Sequence, residues 1–212
     1  MTTNLATRLI ATLPDDLPGL FNPYTSVCPN ELDPQGHIAR RARLARHLGC
    51  QAQFVLVGEA AGYQGCRYSG IAFCSERLLI EGAIPRIAPI QTRISSRARP
   101  FSEPSATIVW GALYNLQIAD QTVLWNAVQL HPYQPGKPLS NRPLSAKELP
   151  YGTAALRLLR EAYPNAAFVA VGQRAEQALR MASIEARGVV RPPANGGAKA
   201  FFQGLKAIVE AE

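Results

Sequence analysis

The chain has 212 residues, 47% hydrophobic and only 17% charged, which is enough to bury a sizeable core and too apolar for a disordered tract. Its formal charge of +7 favours a polyanionic partner, because neutralising phosphates releases counterions. No apolar run approaches the ~20 residues of a membrane span. The N-terminal stretch meets Pro14 and Asp15 too soon for a leader, and Cys28, Cys50, Cys66 and Cys74 form no C-x-x-C pair for zinc or iron–sulfur. The expectation is one cytoplasmic domain over 1–212, with free thiols and no metal, cofactor or membrane partner.

In chain order, the first periodic segment sets Arg40, Arg41, Arg43 and Arg46 against an apolar side of Ile38, Leu44, Ala45 and Leu48. This predicts an amphipathic helix whose basic face either meets a polyanion or is simply solvated, with His37 and His47 at the surface. Gln53–Val57 is a short apolar run ending at Gly58, a buried-strand pattern. Ser75 caps a helix through Leu79. From Gly82 to Ser102 four arginines (Arg86, Arg93, Arg97, Arg99) and no acid occupy a Pro- and Ser-rich stretch, which reads as a long basic loop along a nucleic-acid backbone. A helix over Ser105–Leu116 and a strand over Thr122–Val128 follow. Ser145-Ala-Lys-Glu148 is a capping box opening a helix toward Ala162. Phe168–Val171, a helix near Arg174–Met181, a strand over Ala186–Val190 and a helix to about Glu210 complete the chain. Strands separated by helices predict a three-layer α/β/α sandwich around a four-stranded parallel sheet. Ligands of such sheets bind beyond the strands' carboxyl ends, here just after Val57, Trp125, Val171 and Val190.

Three of these loops carry chemistry. Gly58-Glu59-Ala60-Ala61-Gly62-Tyr63-Gln64-Gly65 and then Gly70-Ile71-Ala72-Phe73 bring glycines and one carboxylate to the end of the first strand. Neither G-x-G-x-x-G nor G-x-x-x-x-G-K-[ST] is present; Glu59 either serves a ligand there or pairs with a nearby arginine. Asn126 lies in an apolar run and needs partners, since a buried amide left unpaired costs about 1–3 kcal/mol. It bonds either the backbone or a ligand edge with adjacent donor and acceptor. Arg191-Pro192-Pro193-Ala194-Asn195-Gly196-Gly197-Ala198-Lys199 is a basic loop leading into a helix.

In order and spacing, these loops resemble those of the uracil-DNA glycosylase superfamily over about residues 53 to 205. Gly58–Gly62 resembles the first motif, in the G-E-x-P-G form of its iron–sulfur branch. Gly70–Phe73 resembles the G-x-P-F element whose ring stacks on the flipped base. Asn126 falls on the base-reading asparagine, Asn141-Arg142-Pro143 with Glu148 on the N-R-x-P-x-x-x-E segment, and Arg191–Gly197 on the second motif. The resemblance has gaps. Leu130 and Gly152 stand where that branch has cluster cysteines, Gly62 where the best-known branch has an aromatic that excludes thymine (leaving Tyr63 as a substitute), and Pro192 where the second motif opens on histidine.

The resemblance implies excision of uracil from DNA by a monofunctional, metal-free and monomeric enzyme. Glu59 would position water, Asn126 would read the base and His131 is the nearby histidine candidate. Gly58, Gly62, Tyr63 and Phe73 would hold the base. Arg86, Arg93, Arg97, Arg99, Arg191, Asn195, Gly196 and Lys199 would meet the DNA. Two competing readings are a uracil- or abasic-site-binding protein with little turnover, which Pro192 favours, and a small-molecule α/β enzyme.

Overall fold

The computed structural model describes residues 2–15, 17–28 and 30–211. The apolar runs become four parallel strands: β2 (Phe54–Ala60), β3 (Thr122–Val128), β5 (Ala167–Val171) and β6 (Gly188–Val190), in the order β3-β2-β5-β6. Their side chains alternate between two cores, as period-2 geometry requires. Val55, Val57, Val123, Trp125, Phe168 and Ala170 face one side; Phe54, Leu56, Leu124, Val169, Val171 and Val190 face the other. Helices α1 (Thr2–Ala11), α2 (Gly36–His47), α6 (Thr153–Ala162) and α7 (Gln173–Met181) cover the first face. Helices α4 (Glu76–Ile80), α5 (Pro104–Asn115) and α8 (Ala198–Val209) cover the second. The three-layer α/β/α arrangement with a four-stranded parallel sheet is thus observed. No helix among the described residues is long and apolar enough to cross a membrane.

Strand β2 runs three residues past Val57, because Gly58 pairs in register with Asn126 and Ala60 with Val128. The motif glycine and the base-reading candidate therefore lie side by side on adjacent strands. A short antiparallel pair, β1 (Leu20–Phe21) with β4 (His131–Pro132), ties the N-terminal segment to the loop after β3. Neither that pair nor α1 is among the sequence expectations.

Three expectations need correction. The Ser145–Glu148 box forms its bonds, Ser145 N–H and Oγ both reaching Glu148 Oε2, but α6 begins only at Thr153, after a 3-10 turn over Leu149–Gly152. Glu148 is held by Arg142 at 2.7 and 2.9 Å, so the pair closes a turn instead of starting a helix. On α2 it is Ile38 that faces solvent, at 53% exposure, while Arg40 is fully buried. A buried guanidinium must be paired and hydrogen-bonded, and Arg40 reaches Glu31 and the carbonyls of Pro23 and Ser26. Arg41 donates to Tyr24 O at 2.6 Å and Arg43 to Ser69 O at 2.7 Å, so α2 is largely a structural clamp. His47 is also buried, not at the surface. Its Nε2 accepts the Leu124 N–H at 2.9 Å, which satisfies a donor on the free edge of β3. Burial, and then the Arg86 charge, push its pKa down to about 3.

Candidate active site

A cavity of about 620 Å³ opens at the carboxyl ends of the parallel strands, lined from β2, β3, β5 and β6 and the segments that follow them. From β2 the chain moves outward to β3 on one side; β5 and β6 lie on the other. The cavity thus sits where strand order reverses, the expected place for a ligand. An adjoining cavity of about 360 Å³ shares Glu59, Ala60, Gly62 and Glu103 with it.

Gly58, Phe73 and Asn126 form its floor. A Cβ on Gly58 would lie 2.7 Å from Phe73 Cζ and 2.8 Å from Asn126 Oδ1, so the missing side chain lets ring and amide meet over one backbone. Phe73 itself adopts φ 51°, a left-handed conformation that costs energy for a bulky residue. Its carbonyl accepts the Trp110 Nε1–H at 2.8 Å, which helps hold that backbone.

Asn126 is 3% exposed and its orientation is set by Gln129. Gln129 Oε1 accepts both the Asn126 backbone N–H at 3.1 Å and Nδ2–H at 2.8 Å. Gln129 Nε2 donates to Tyr24 Oη, which in turn donates to Gly70 O. This buried chain fixes Nδ2 toward Gln129, leaving Oδ1 against Gly58 and Phe73. The Asn126 amide thus bonds neither alternative expected of it but a third group, the side chain of Gln129. Gln129 stands three residues beyond Asn126 in the same apolar run; a second buried amide was the available signal.

Two carboxylates reach the cavity. Glu59 does not pair with an arginine; its Oε1 accepts the Leu144 N–H at 3.0 Å. Glu103 is absent from the sequence expectations. It occupies the N-cap of α5 yet makes no side-chain cap bond. Its Oε2 is buried without any hydrogen-bond partner, flush against Gly65, where a Cβ would come within 1.8 Å of that oxygen. Burial pushes the Glu103 carboxyl up to about 7. The sequence signal was Glu103-Pro104: proline at the first helical position fixes the start, and glutamate is not among the preferred caps.

On the opposite wall lie Gly172, Arg174, Val189, Arg191, Pro192 and Pro193. Arg174 is not among the sequence expectations; its guanidinium donates to Gln177 Oε1 at 3.3 Å. Asn195 and Gly196 both have positive φ, and Gly197 packs so closely that a Cβ would meet Pro192 O at 2.0 Å. Arg191, Asn195, Gly196 and Lys199 are all exposed on this turn.

The remaining candidates are not brought to the cavity. His131 is fully buried: Arg67 donates to its Nδ1 at 2.8 Å and its Nε2 meets Ser140 O at 2.8 Å. Burial, then the Arg67 charge, lower its pKa to about 4, so it is a neutral structural link outside the cavity lining. The Tyr63 ring packs edge-on against Phe101, centroids 6.1 Å apart, and does not line the cavity; its N–H is taken by Asn141 Oδ1.

The acid-free loop finds its acid outside itself. Glu76 accepts from Arg93, Ile94 N, Ser95 N and Oγ, and Phe101 N. Burial opposes its ionisation, but these donors win and hold it down at about 2. Arg86 bonds the carbonyls of His47, Asp120 and Thr122, at the amino end of β3. That end lies about 13 Å from Asn126 by strand rise, so Arg86 braces the far edge of the sheet. Arg97 rests over the Phe101 ring, 4.5 Å from its centroid, and both it and Arg99 are exposed.

The residues present do not suit an iron–sulfur cluster. Leu130 is buried in the apolar core, and a Cβ at Gly152 would lie 1.5 Å from Ala127 O. No group of three or more His, Cys, Asp or Glu converges among the described residues.

No protein family's sequence profile and no curated protein matches the chain. In fold the chain is similar to the crystal structure of wild-type SMUG2 from Pedobacter heparinus. The TM-score is 0.64 and the identity 14%, with coverage of 98% of this chain and 97% of that one. At that identity the likeness is one of fold.

Proposed function

We propose that this chain is a DNA glycosylase that excises uracil, leaving an abasic site. The observation that carries the reading is the Gly58–Phe73–Asn126 floor. An aromatic face and an amide held in one orientation meet inside a cavity whose lining also carries Arg174 and Arg191, which suits an enzyme reading a flipped base. The full-length likeness in fold to SMUG2 supports it.

Each part then has a task. Phe73 stacks on the extruded base. Asn126 presents Oδ1 to a ring N–H, its flip set by Gln129. Glu59, held through Leu144 N–H, positions water or steadies the cationic sugar. Arg191, Asn195, Gly196 and Lys199 meet phosphates beside the mouth, joined by Arg97 and Arg99 from the loop anchored on Glu76. No lysine lines the cavity among the described residues, which agrees with simple hydrolysis instead of an amine-linked lyase step.

The test is incubation with an oligonucleotide carrying one uracil, followed by alkali. Strand scission at that position is expected. Tight binding without scission would favour the uracil- or abasic-site-binding reading, and neither binding nor scission would sink both.

A further inference from the structure

Glu103 has no structural employment. As the N-cap of α5 it would ordinarily offer an oxygen to the helix's first N–H groups, worth about 1 kcal/mol, but its side chain makes no such bond. It turns to the cavity instead, Oε1 near Gly62 and Oε2 flush on Gly65. Buried polar atoms are nearly always bonded, so an orphaned carboxyl oxygen on a cavity wall calls for a ligand. Few groups around it supply charge. Glu59 from β2 would repel a second anion, whereas Arg174 on α7 and Arg191 after β6 belong to the opposite wall. Burial raises the thiols of Cys66, on the short helix α3 (Cys66–Ser69), and of Cys74, just before α4, so both stay neutral beside it. None of these groups hydrogen-bonds to Glu103 Oε2.

Resting on the glycosylase reading above, we propose that Glu103 is the proton donor of this site, serving the departing base as Pro192 cannot. Water adds through its oxygen to C1′ of the sugar. The N-glycosidic bond breaks with its electron pair on the base. The Glu103 O–H proton passes to the base, and the proton shed by water passes to the Glu59 carboxylate. One water is consumed overall, and solvent returns both carboxyls to their starting forms.

The decisive variant is Glu103→Gln, which keeps the shape and a hydrogen-bond donor but has no proton to transfer. Two measurements separate the outcomes. In single-turnover excision of uracil, the wild-type rate should fall as pH rises through about 7, while the variant should be about 10²-fold slower at pH 6 and lack that falling limb. In thermal melts, the ionised carboxyl penalises the native state above its folded pKa and not below the unfolded value. Glu103→Gln should therefore melt higher than wild type near pH 8, with the gap closing toward pH 4.5. Parallel melting profiles, or an active wild type matched by Glu103→Gln in rate and pH profile, would overturn the proposal while the glycosylase reading stands. A wild type that cleaves no uracil would defeat that reading and this one together. Should Glu103→Gln not fold, Glu103→Ser, which sets a preferred cap on α5, must lose the same limb.

Discussion

Replacing Gly58 by alanine tests the floor of the cavity with one methyl group. The added Cβ would stand 2.7 Å from Phe73 Cζ and 2.8 Å from Asn126 Oδ1. Ordinary carbon contacts lie at about 3.5–4.0 Å, so the ring and the amide must each retreat by about 1 Å. Neither has an easy route: Phe73 already holds a left-handed backbone, and Asn126 is bound twice to Gln129. Overpacking of this kind costs about 1–3 kcal/mol, or roughly 2–12 °C of melting temperature in a chain of this size. A misplacement of ~1 Å at a reacting centre costs about 10² in rate. Single-turnover uracil excision by Gly58→Ala should therefore fall about a hundredfold in a protein that still melts cooperatively. Gly62→Ala is the comparison from the same loop. Its nearest atom would be Glu103 Oε1 at 3.7 Å, an ordinary contact, so its loss should be far smaller. Equal rates for Gly58→Ala and wild type, or equal losses for the two alanines, would refute the geometry claimed for the floor.

Gln129→Leu removes the acceptor that orients Asn126 and leaves its backbone N–H and Nδ2–H without that partner, at a cost of about 1–3 kcal/mol each; excision should drop and discrimination between uracil and cytosine should blur, whereas intact discrimination would strip Gln129 of its positioning role. Arg97→Ala with Arg99→Ala should weaken DNA binding and flatten its dependence on salt by about two units of slope, while Arg86→Ala should lower stability and leave that slope alone; the opposite pattern would place Arg86 on the DNA. His47 and His131 are held neutral at about 3 and 4. The unfolded chain therefore takes up their protons first as pH falls below about 6.5, and stability is lost between there and about pH 4, by at most ~1.4 kcal/mol per unit for each histidine. Glu103 works in the other direction, so denaturant titrations at pH 7 and 5 in Glu103→Gln isolate the effect, and stability that rises on acidification would contradict it.

The sheet was legible because buried parallel strands announce themselves as continuous apolar runs, and Thr122–Val128 matches to the residue. Periodicity misled where charge is consumed internally. Arg40 and Ile38 exchange the faces a hydropathy pattern assigns them, because Glu31 and two carbonyls on a preceding loop compensate the guanidinium; no local pattern encodes a partner nine residues away. The Arg93 segment looked like a free basic loop for the same reason, its counter-charge being Glu76 on the helix before it. Candidate residues on glycine-rich strand ends, Gly58, Glu59, Phe73 and Asn126, do meet. His131 does not, since its two ring nitrogens are committed to Arg67 and Ser140. Glu103 and Arg174 escaped notice because each follows a turn whose direction only the fold decides.

The cavity's lining carries both signs, and on the glycosylase reading that difference bears on how base and DNA would divide the site. Glu59 and Glu103 come from the end of β2 and the head of α5; Arg174 and Arg191 come from beyond β5 and β6. An anionic phosphate approaching the mouth is repelled by the first wall and drawn by the second, so the backbone should pass over the Arg191–Lys199 turn. An uncharged base can enter between them. Once its bond to the sugar begins to break, the charges separate in the same sense: the sugar turns cationic and the base anionic. On the glycosylase reading, the Glu59 carboxylate is the group placed to steady the sugar. A second carboxylate at Glu103 would then oppose the departing base unless it carries a proton. On that proposal Glu103 must therefore carry a proton, which its burial favours. Glu59 keeps a backbone donor from Leu144, whereas Glu103 has none.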